Sequence, residues 1–420
     1  MLKNYIKMAL KVLLRRKVFT CISLVTISFT LMVLMVATAL FDHVFGSFPP
    51  ETRSDRTLGL KMLRGEHTDN PGGRYIRRPS YAFLERYVSS LDHAEKVSIS
   101  TSFWSPEVAY RKGVKIESDL KYTDGVFWEI LEFDFLEGRP YTTKEVEEAQ
   151  RVAVINKETR RVFFGEEQAV GKYIEVKGHS FRVVGVVPNV PAFRVASFAD
   201  IWVPISTRES DEYLRYDSIF GDSQALILAR NAAEVPLIKE EFADVLTWIE
   251  YPNPDQTNRL IGGPATLLEE TVLGISITRD FEDGATDTMF LMIGGLGLLF
   301  MLLPVVSLVN INSTRILERA SEIGVRKAFG GSSRTLVGQF MVENVILTLL
   351  GGALGLVLTF LVLQALSASN IVQYAEFHLN HRIFFYGLVI TLVFGLLSGI
   401  YPAWRMSRLH IVEALRRRKQ

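Results

Sequence analysis

Four long apolar runs interrupt the sequence, and each is long enough to cross a bilayer as a helix. They occupy residues 18–41, 288–312, 335–366 and 383–404. A bilayer core of about 30 Å requires about 20 apolar residues in a helix, and one buried charge costs about 3 kcal/mol on insertion scales. The uncharged part of the third run begins at Asn344, directly after Glu343. The pattern therefore predicts four membrane-spanning helices.

The first run has a second interpretation, because a basic start followed by apolar residues also occurs in signal peptides. The apolar core of a signal peptide spans about 7–15 residues. Residues 18–41 form a much longer uncharged run. A membrane span is therefore the prediction that we adopt.

Residues 42–287 alternate between helical and strand periodicity and lack a comparable apolar run. Ser80 is a candidate N-cap for a helix over 80–93, whose apolar positions have helical spacing. A second helix is predicted over 233–250. Strand patterns occur at 151–155, 172–187, 200–205 and 225–229, the second of them as a hairpin turning at Lys177-Gly178-His179. The sequence predicts a mixed α/β domain with a β-rich subdomain at about 120–222.

The charges are sorted along the chain although the formal net charge is only +1. Residues 42–287 contain 29 Lys and Arg against 41 Asp and Glu, whereas the first 41 residues contain six basic side chains and no acidic one. Lys and Arg favour the cytoplasmic side. This places an amphipathic N-terminal helix (1–17), the segment 313–331 and the tail (405–420) in the cytoplasm, with 42–287 and a short loop (367–382) outside.

The fold class predicted is an α-helical membrane protein with four transmembrane helices and a large mixed α/β extracytoplasmic domain between the first and second. Cys21 is the single cysteine, so no disulfide can form within the chain. The stretch from Gly165 to Tyr173 fails as a phosphate loop, because five residues separate its glycines and Tyr173 replaces Ser or Thr. His378 and His381 lack an evident third metal ligand. We expect no catalytic residue, no metal site and no nucleic-acid partner.

Two pairs of glycines mark surfaces where predicted spans could approach another helix closely. They are Gly351 with Gly355 and Gly395 with Gly399, each at GxxxG spacing. Packing within one subunit and a dimer contact are both compatible with this spacing. The spans contain no ionisable residue in their cores, so a proton-driven carrier is not expected.

The segment 313–331 predicts a short basic helix between two spans, ending at Gly330-Gly331. Glu322 and Arg326 have the i,i+4 spacing of a surface ion pair. An ordinary cytoplasmic loop and an element that passes force from a cytosolic partner are equally compatible with these residues.

The sequence resembles the MacB/FtsX-type ABC transporter permeases over nearly its whole length. The resembling stretches are "RASEIGVRKAFGGSSRTLVGQFMVENVILTLLGGALGL" (319–356), "SGIYPAWRMSRLHIVEALRRR" (398–418) and "FDFLEGRPY" (133–141). Residue 411 is Ile where the family often has Pro.

The resemblance implies that 313–331 is the coupling helix, which contacts a separate cytosolic ATPase. The implied contact residues are Arg319, Glu322, Ile323, Gly324, Arg326 and Lys327. ATP and Mg would be bound by that ATPase, with no cofactor in this chain. A second permease subunit, membrane lipid and an envelope protein of the membrane-fusion type are the further partners implied.

Two functions follow from the resemblance. The first is a permease subunit in a bacterial inner membrane that passes ATP-driven motion to its periplasmic domain, for export or extraction of an antibiotic, peptide or lipoprotein. The alternative is an FtsX-like regulator that activates an envelope hydrolase without moving a substrate.

Overall fold

The protein is described here by a computed structural model. The structure describes residues 17–102, 105–209, 211–214, 218–270, 332–369 and 371–377, with isolated positions in 11–15, 291–325 and 384–396. The chain divides into two compact units. The first comprises Met1–His43, Leu291–Ile371 and Glu376–Gln420, and the second comprises Val44–Phe290 and Val372–Ala375.

Seven helices lie within the described ranges, and we number them in chain order. They are α1 (Lys17–Phe45), α2 (Tyr81–Tyr87), α3 (Phe127–Ile130), α4 (Thr143–Glu147), α5 (Lys157–Phe164), α6 (Val235–Trp248) and α7 (Ser333–Ala368). Three short 3-10 turns occur at Ile205–Thr207, Asp211–Leu214 and Ala232–Glu234.

Fifteen strands occur in the same ranges, all of them in the second unit. They are β1 (Thr57–Leu60), β2 (Leu63–His67), β3 (Asn70–Pro79), β4 (Ala94–Thr101), β5 (Ser105–Arg111), β6 (Val114–Thr123), β7 (Glu137–Gly138), β8 (Val152–Asn156), β9 (Tyr173–Val176), β10 (His179–Val187), β11 (Ile201–Pro204), β12 (Phe220–Gly221), β13 (Ser223–Ala229), β14 (Arg259–Ile261) and β15 (Ala265–Thr266).

The first unit is built on α1 and α7, both of which are long and apolar enough to cross a membrane. Ile27, Leu31 and Met35 of α1 form a buried cluster with Leu347 of α7. Two of the four predicted spans are therefore present as helices. The predicted spans at 288–312 and 383–404 lie outside the described residues, apart from isolated positions.

A six-stranded ring forms the β-rich part of the second unit. The strands follow the order β11, β8, β10, β9, β5 and β6, and β11 closes the ring by pairing with β6 in parallel. Its interior is filled by Phe163, Ile174 and Phe181 among other buried apolar side chains. Its strands start at residue 105, earlier than the predicted boundary near 120, because the β5–β6 hairpin joins the ring rather than the flanking part.

The rest of the second unit consists of a layered sheet and a small accessory sheet. The strands β4, β13, β1 and β15 extend the ring's sheet through β6, and helices α2 and α6 pack on them. Phe83 and Phe242 are buried in this core. The accessory sheet has the order β12, β3, β2 and β14. An aromatic cluster around Trp128, Tyr141 and Trp202 fills a further core.

Local sequence signals explain several of these elements. Ser80 caps α2 by accepting a hydrogen bond from the Phe83 N–H, as predicted. Lys177 and Gly178 both have positive φ, and this lets β9 turn directly into β10. The helix predicted over 233–250 is α6, with Pro236 in its first turn. The N-cap at Ser80, the hairpin and the second helix are confirmed, whereas the helix predicted over 80–93 ends already at Tyr87.

Candidate functional site

Most of the sequence-predicted site lies outside the described residues. This holds for all six implied ATPase contacts, which are Arg319, Glu322, Ile323, Gly324, Arg326 and Lys327, and for Gly395 and Gly399. Only Gly351 and Gly355 of the predicted residues are described.

Gly351 and Gly355 lie on the face of α7 that packs against α1 of the same chain. A Cβ at Gly351 would stand 2.9 Å from the Cβ of Ile27, closer than real side chains allow. A Cβ at Gly355 would stand 3.0 Å from the Ser28 carbonyl oxygen. These glycines therefore let the two helix backbones approach closely.

A loop that the sequence analysis did not identify fixes the segment that follows α1. We call residues 191–200 the junction loop. Its Arg194 is 4% exposed and donates hydrogen bonds to Glu51 Oε2 (3.1 Å) and to the carbonyl oxygens of Gly46 (3.2 Å) and Phe48 (3.4 Å). The Ser197 hydroxyl donates to Glu51 Oε1 at 2.5 Å. One side chain thus holds three points of the segment that leads out of α1.

The local sequence explains why Arg194 is available for this contact. The Arg194 N–H donates to the Pro191 carbonyl, and the Phe198 N–H donates to the Arg194 carbonyl. These turns keep the backbone of the junction loop paired within itself. The guanidinium binds outside the loop, where its planar fork suits a carboxylate and adjacent carbonyls.

Both partners of this ion pair are largely removed from water, with side-chain exposures of 4% for Arg194 and 10% for Glu51. A buried ion pair is costly to desolvate, and removing one partner leaves an uncompensated charge. The pair therefore specifies where residues 46–51 must lie. Both partners lie within the second unit, so the pair fixes residues 46–51 against the junction loop of that unit.

A second buried cation lies beneath the same loop. Lys121 of β6 is fully buried, and its Nζ donates to the carbonyl oxygens of Val195 (2.7 Å) and Ala196 (2.6 Å). Burial, and to a smaller extent the positive charge of Lys61, lower the pKa of Lys121 to about 7, against a raising effect of Glu51. The junction loop is therefore held by two hydrogen bonds from an amine that is only partly protonated near neutral pH.

Replacing Lys121 by methionine should remove one component of the pH dependence of stability. Because the pKa of Lys121 is lower in the folded than in the unfolded protein, the unfolded state binds more protons between pH 7 and 10. Wild-type stability should therefore gain about 2 kcal/mol from this group between pH 7 and 9. Urea unfolding, followed by the fluorescence of buried Trp128 and Trp202, measures that gain.

The matched control is Lys115→Met, because Lys115 lies on the same strand and is exposed. This variant should retain the wild-type change in stability between the two pH values. Equal pH profiles for Lys121→Met and the wild type would show that Lys121 titrates normally in the folded protein.

Another ion pair fixes the last described residues before the second predicted span. Lys61, which directly follows β1, pairs with Glu270, the last residue described before the second predicted span. Burial raises the pKa of Glu270, opposed by Lys61. A Cβ at Gly59 would force the Glu270 carboxylate to shift, so glycine at this position leaves room for the ion pair.

Sequence reasoning missed these charges because isolated Lys, Arg and Glu residues are mostly exposed in proteins. The partners of Arg194 lie 143–148 residues earlier in the chain. The only local signal is the apolar stretch around Arg194, from Val190 to Ala199, which contains no other charge.

Two family models match this chain. The model of the MacB-like periplasmic core domain matches residues 20–245, and that of the FtsX-like permease C-terminal region matches residues 294–411. The chain belongs to the MacB/FtsX-type permease family. It is therefore an ABC transporter permease of this type, and such permeases work with an ABC ATPase.

Individual relatives support the assignment to MacB/FtsX-type permeases. The chain is 28% identical over 285 residues to a macrolide export ATP-binding/permease protein MacB of Bdellovibrio bacteriovorus, covering 66% of this chain and 41% of the relative. It is 23% identical over 293 residues to an uncharacterized ABC transporter permease, YvrN, of Bacillus subtilis, covering 70% of this chain and 68% of the relative. The chain spans about two fifths of the length of the MacB proteins it matches.

Among solved structures, the chain is similar to the periplasmic region of MacB from Actinobacillus actinomycetemcomitans. The TM-score is 0.37 at 14% identity, covering 53% of this chain and 94% of that structure. No ATPase domain is identified in the chain of this MacB/FtsX-type permease.

Proposed function

We propose that this chain is the permease subunit that transmits ATP-driven motion of a separate cytosolic ATPase to an extracytoplasmic domain. The motion serves export or extraction of an envelope substrate, such as an antibiotic, a peptide or a lipoprotein. Relatives named for macrolide and pyoverdine export support this substrate range. The four spans, the cytoplasmic termini and the coupling helix at 313–331 are parts of the proposal.

The observation that carries the proposal is the fixation of residues 46–51 by Arg194. In the proposal, a displacement of α1 passes into this segment, which Arg194 holds at Gly46, Phe48 and Glu51, with Ser197 as a second donor to Glu51. The pair therefore supports a function in which force passes along the chain.

The match to the MacB-like core domain favours export over the regulation of a hydrolase, because it covers most of the second unit. The test is co-purification with candidate ATPases. ATPase assays of the complex, with and without antimicrobial compounds or lipoproteins, then identify the substrate class. The alternative would be favoured if no compound or lipoprotein changed the ATPase rate and a co-purifying hydrolase alone did so.

Reversing the charge of Arg326 should weaken ATPase association. We expect the Arg326→Glu variant to bind the ATPase at least about tenfold more weakly, because like charges across a contact repel. The dissociation constant of the detergent-solubilised permease and its ATPase measures this effect.

The control is Arg161→Glu, which reverses an exposed charge on α5 of the second unit. It should bind the ATPase like the wild type. Unchanged affinity for Arg326→Glu would argue against 313–331 as the coupling helix.

A further inference from the structure

Residues 372–375 belong to the second unit although they lie between the predicted third and fourth spans. The Ala192 N–H of the junction loop donates to the Gln373 carbonyl oxygen at 3.1 Å. The Tyr374 hydroxyl donates to Asp200 Oδ1 at 2.8 Å, and its ring lies 6.3 Å from that of Phe198. Four residues separate Ala368, the last residue of α7, from Gln373.

The acceptor of the Tyr374 hydroxyl is held in place by other groups. Asp200 is 5% exposed. Its Oδ1 also accepts from Asn156 Nδ2 (2.6 Å), and its Oδ2 accepts from the Asp119 N–H (3.0 Å). Burial raises the pKa of Asp200. The Asp200 carboxyl group is therefore held in place at the starts of β11 and α5 by bonds that do not involve Tyr374.

The backbone of Tyr374 is in a conformation that a free loop would rarely adopt. Its φ is +57°, in the left-handed region. This region disfavours a residue with a side chain, and such conformations persist where surrounding contacts impose them. The contacts of Gln373 with Ala192 and of Tyr374 with Asp200 therefore hold this backbone in place. We call this arrangement docked.

We propose that Tyr374 is a positioning residue that docks residues 372–375, which follow α7 in the chain, on the junction loop and leaves it as the nucleotide state of the complex changes. The same loop holds the segment after α1 through Arg194, so it contacts the segments that follow two predicted spans. The proposal rests on the proposed function, because it requires an ATPase that moves the helices. It adds a contact, within the second unit, whose state would depend on the nucleotide.

The test uses the full-length permease with its ATPase in nanodiscs. In a Cys21→Ser background, Ala192→Cys and Gln373→Cys place thiols on residues whose backbones lie in hydrogen-bond contact, within reach of a disulfide. We expect the rate of disulfide formation to differ at least fivefold between the nucleotide-free complex and the vanadate-trapped complex. Equal rates in the two states would overturn the proposal, and so would the absence of a disulfide in both.

A second measurement separates the Tyr374 hydroxyl from the loop as a whole. Adding Tyr374→Phe to the cysteine pair removes the hydroxyl, which donates to Asp200 and also interacts with the side chain of Asn156. We expect about tenfold less docking and correspondingly slower disulfide formation in the docked state. Tyr173→Phe is the control, because Tyr173 is 58% exposed. Unchanged rates for Tyr374→Phe would show that the hydroxyl does not position the loop.

The two failures are distinguishable. If no ATPase binds the permease, the proposed function fails, and the Tyr374→Phe comparison still reports on docking in the permease alone. If the ATPase binds and hydrolyses ATP while the disulfide rate stays constant, the function stands and the role of Tyr374 is wrong.

Discussion

The Arg194→Ala variant should lose about 3–5 kcal/mol of the stability of the second unit. Truncation leaves the Glu51 carboxylate buried with Ser197 as its remaining side-chain partner, and it leaves the Gly46 and Phe48 carbonyls without the guanidinium. Breaking a buried ion pair by removing one partner has this cost. Urea unfolding of the full-length protein in detergent, followed by tryptophan fluorescence, measures the change.

Arg161→Ala is the matched control, since it removes the guanidinium of an exposed ion pair with Glu158. It should unfold at the wild-type urea concentration. Arg194→Lys should recover part of the loss, because one ammonium retains the charge and cannot reach all three acceptors. A loss below about 1 kcal/mol for Arg194→Ala would mean that residues 46–51 are fixed by other contacts.

Replacing Gly351 by leucine should force α1 and α7 apart. The new side chain collides with Ile27, which is 2% exposed and packs among Leu31, Met35 and Leu347. Overpacking of a filled core costs about 1–3 kcal/mol. Thermal unfolding of the detergent-solubilised protein should show the loss as a lower midpoint temperature.

Gly338 offers a control on the same helix, because a Cβ there would meet no heavy atom within 4 Å among the described residues. Gly338→Leu should be neutral or stabilising, since leucine favours a helix more than glycine does. Combining Gly351→Ala with Ile27→Ala should recover stability relative to Gly351→Ala alone. Equal midpoints for Gly351→Leu and Gly338→Leu would contradict the α1–α7 contact.

The elements that sequence reasoning predicted well are those whose signals are local. Ser80 begins α2 because its hydroxyl can satisfy an N–H three residues later. Lys177-Gly178 ends β9 because glycine tolerates positive φ. The uncharged length of 18–41 likewise predicts α1, which extends to Phe45. Each signal lies within a few residues of its effect.

What escaped the sequence depends on contacts between distant residues. The closure of the ring pairs Leu120 with Ile201, and periodicity cannot show which strands will be neighbours. Arg194, Lys121 and Tyr374 look like ordinary surface residues until the fold brings their partners together. The segment 367–382 was expected to be a plain connecting loop, whereas residues 372–375 contribute to the second unit.

Strand β6 has a mechanical consequence for the outer domain. Its first part pairs with β5 within the ring, while its last residues pair with both β11 and β4, so ring and layered sheet share one uninterrupted backbone. No linker separates the two parts along this strand, and a hinge between them would require breaking ladder hydrogen bonds. A displacement of the junction loop should therefore move the ring and the layered sheet together.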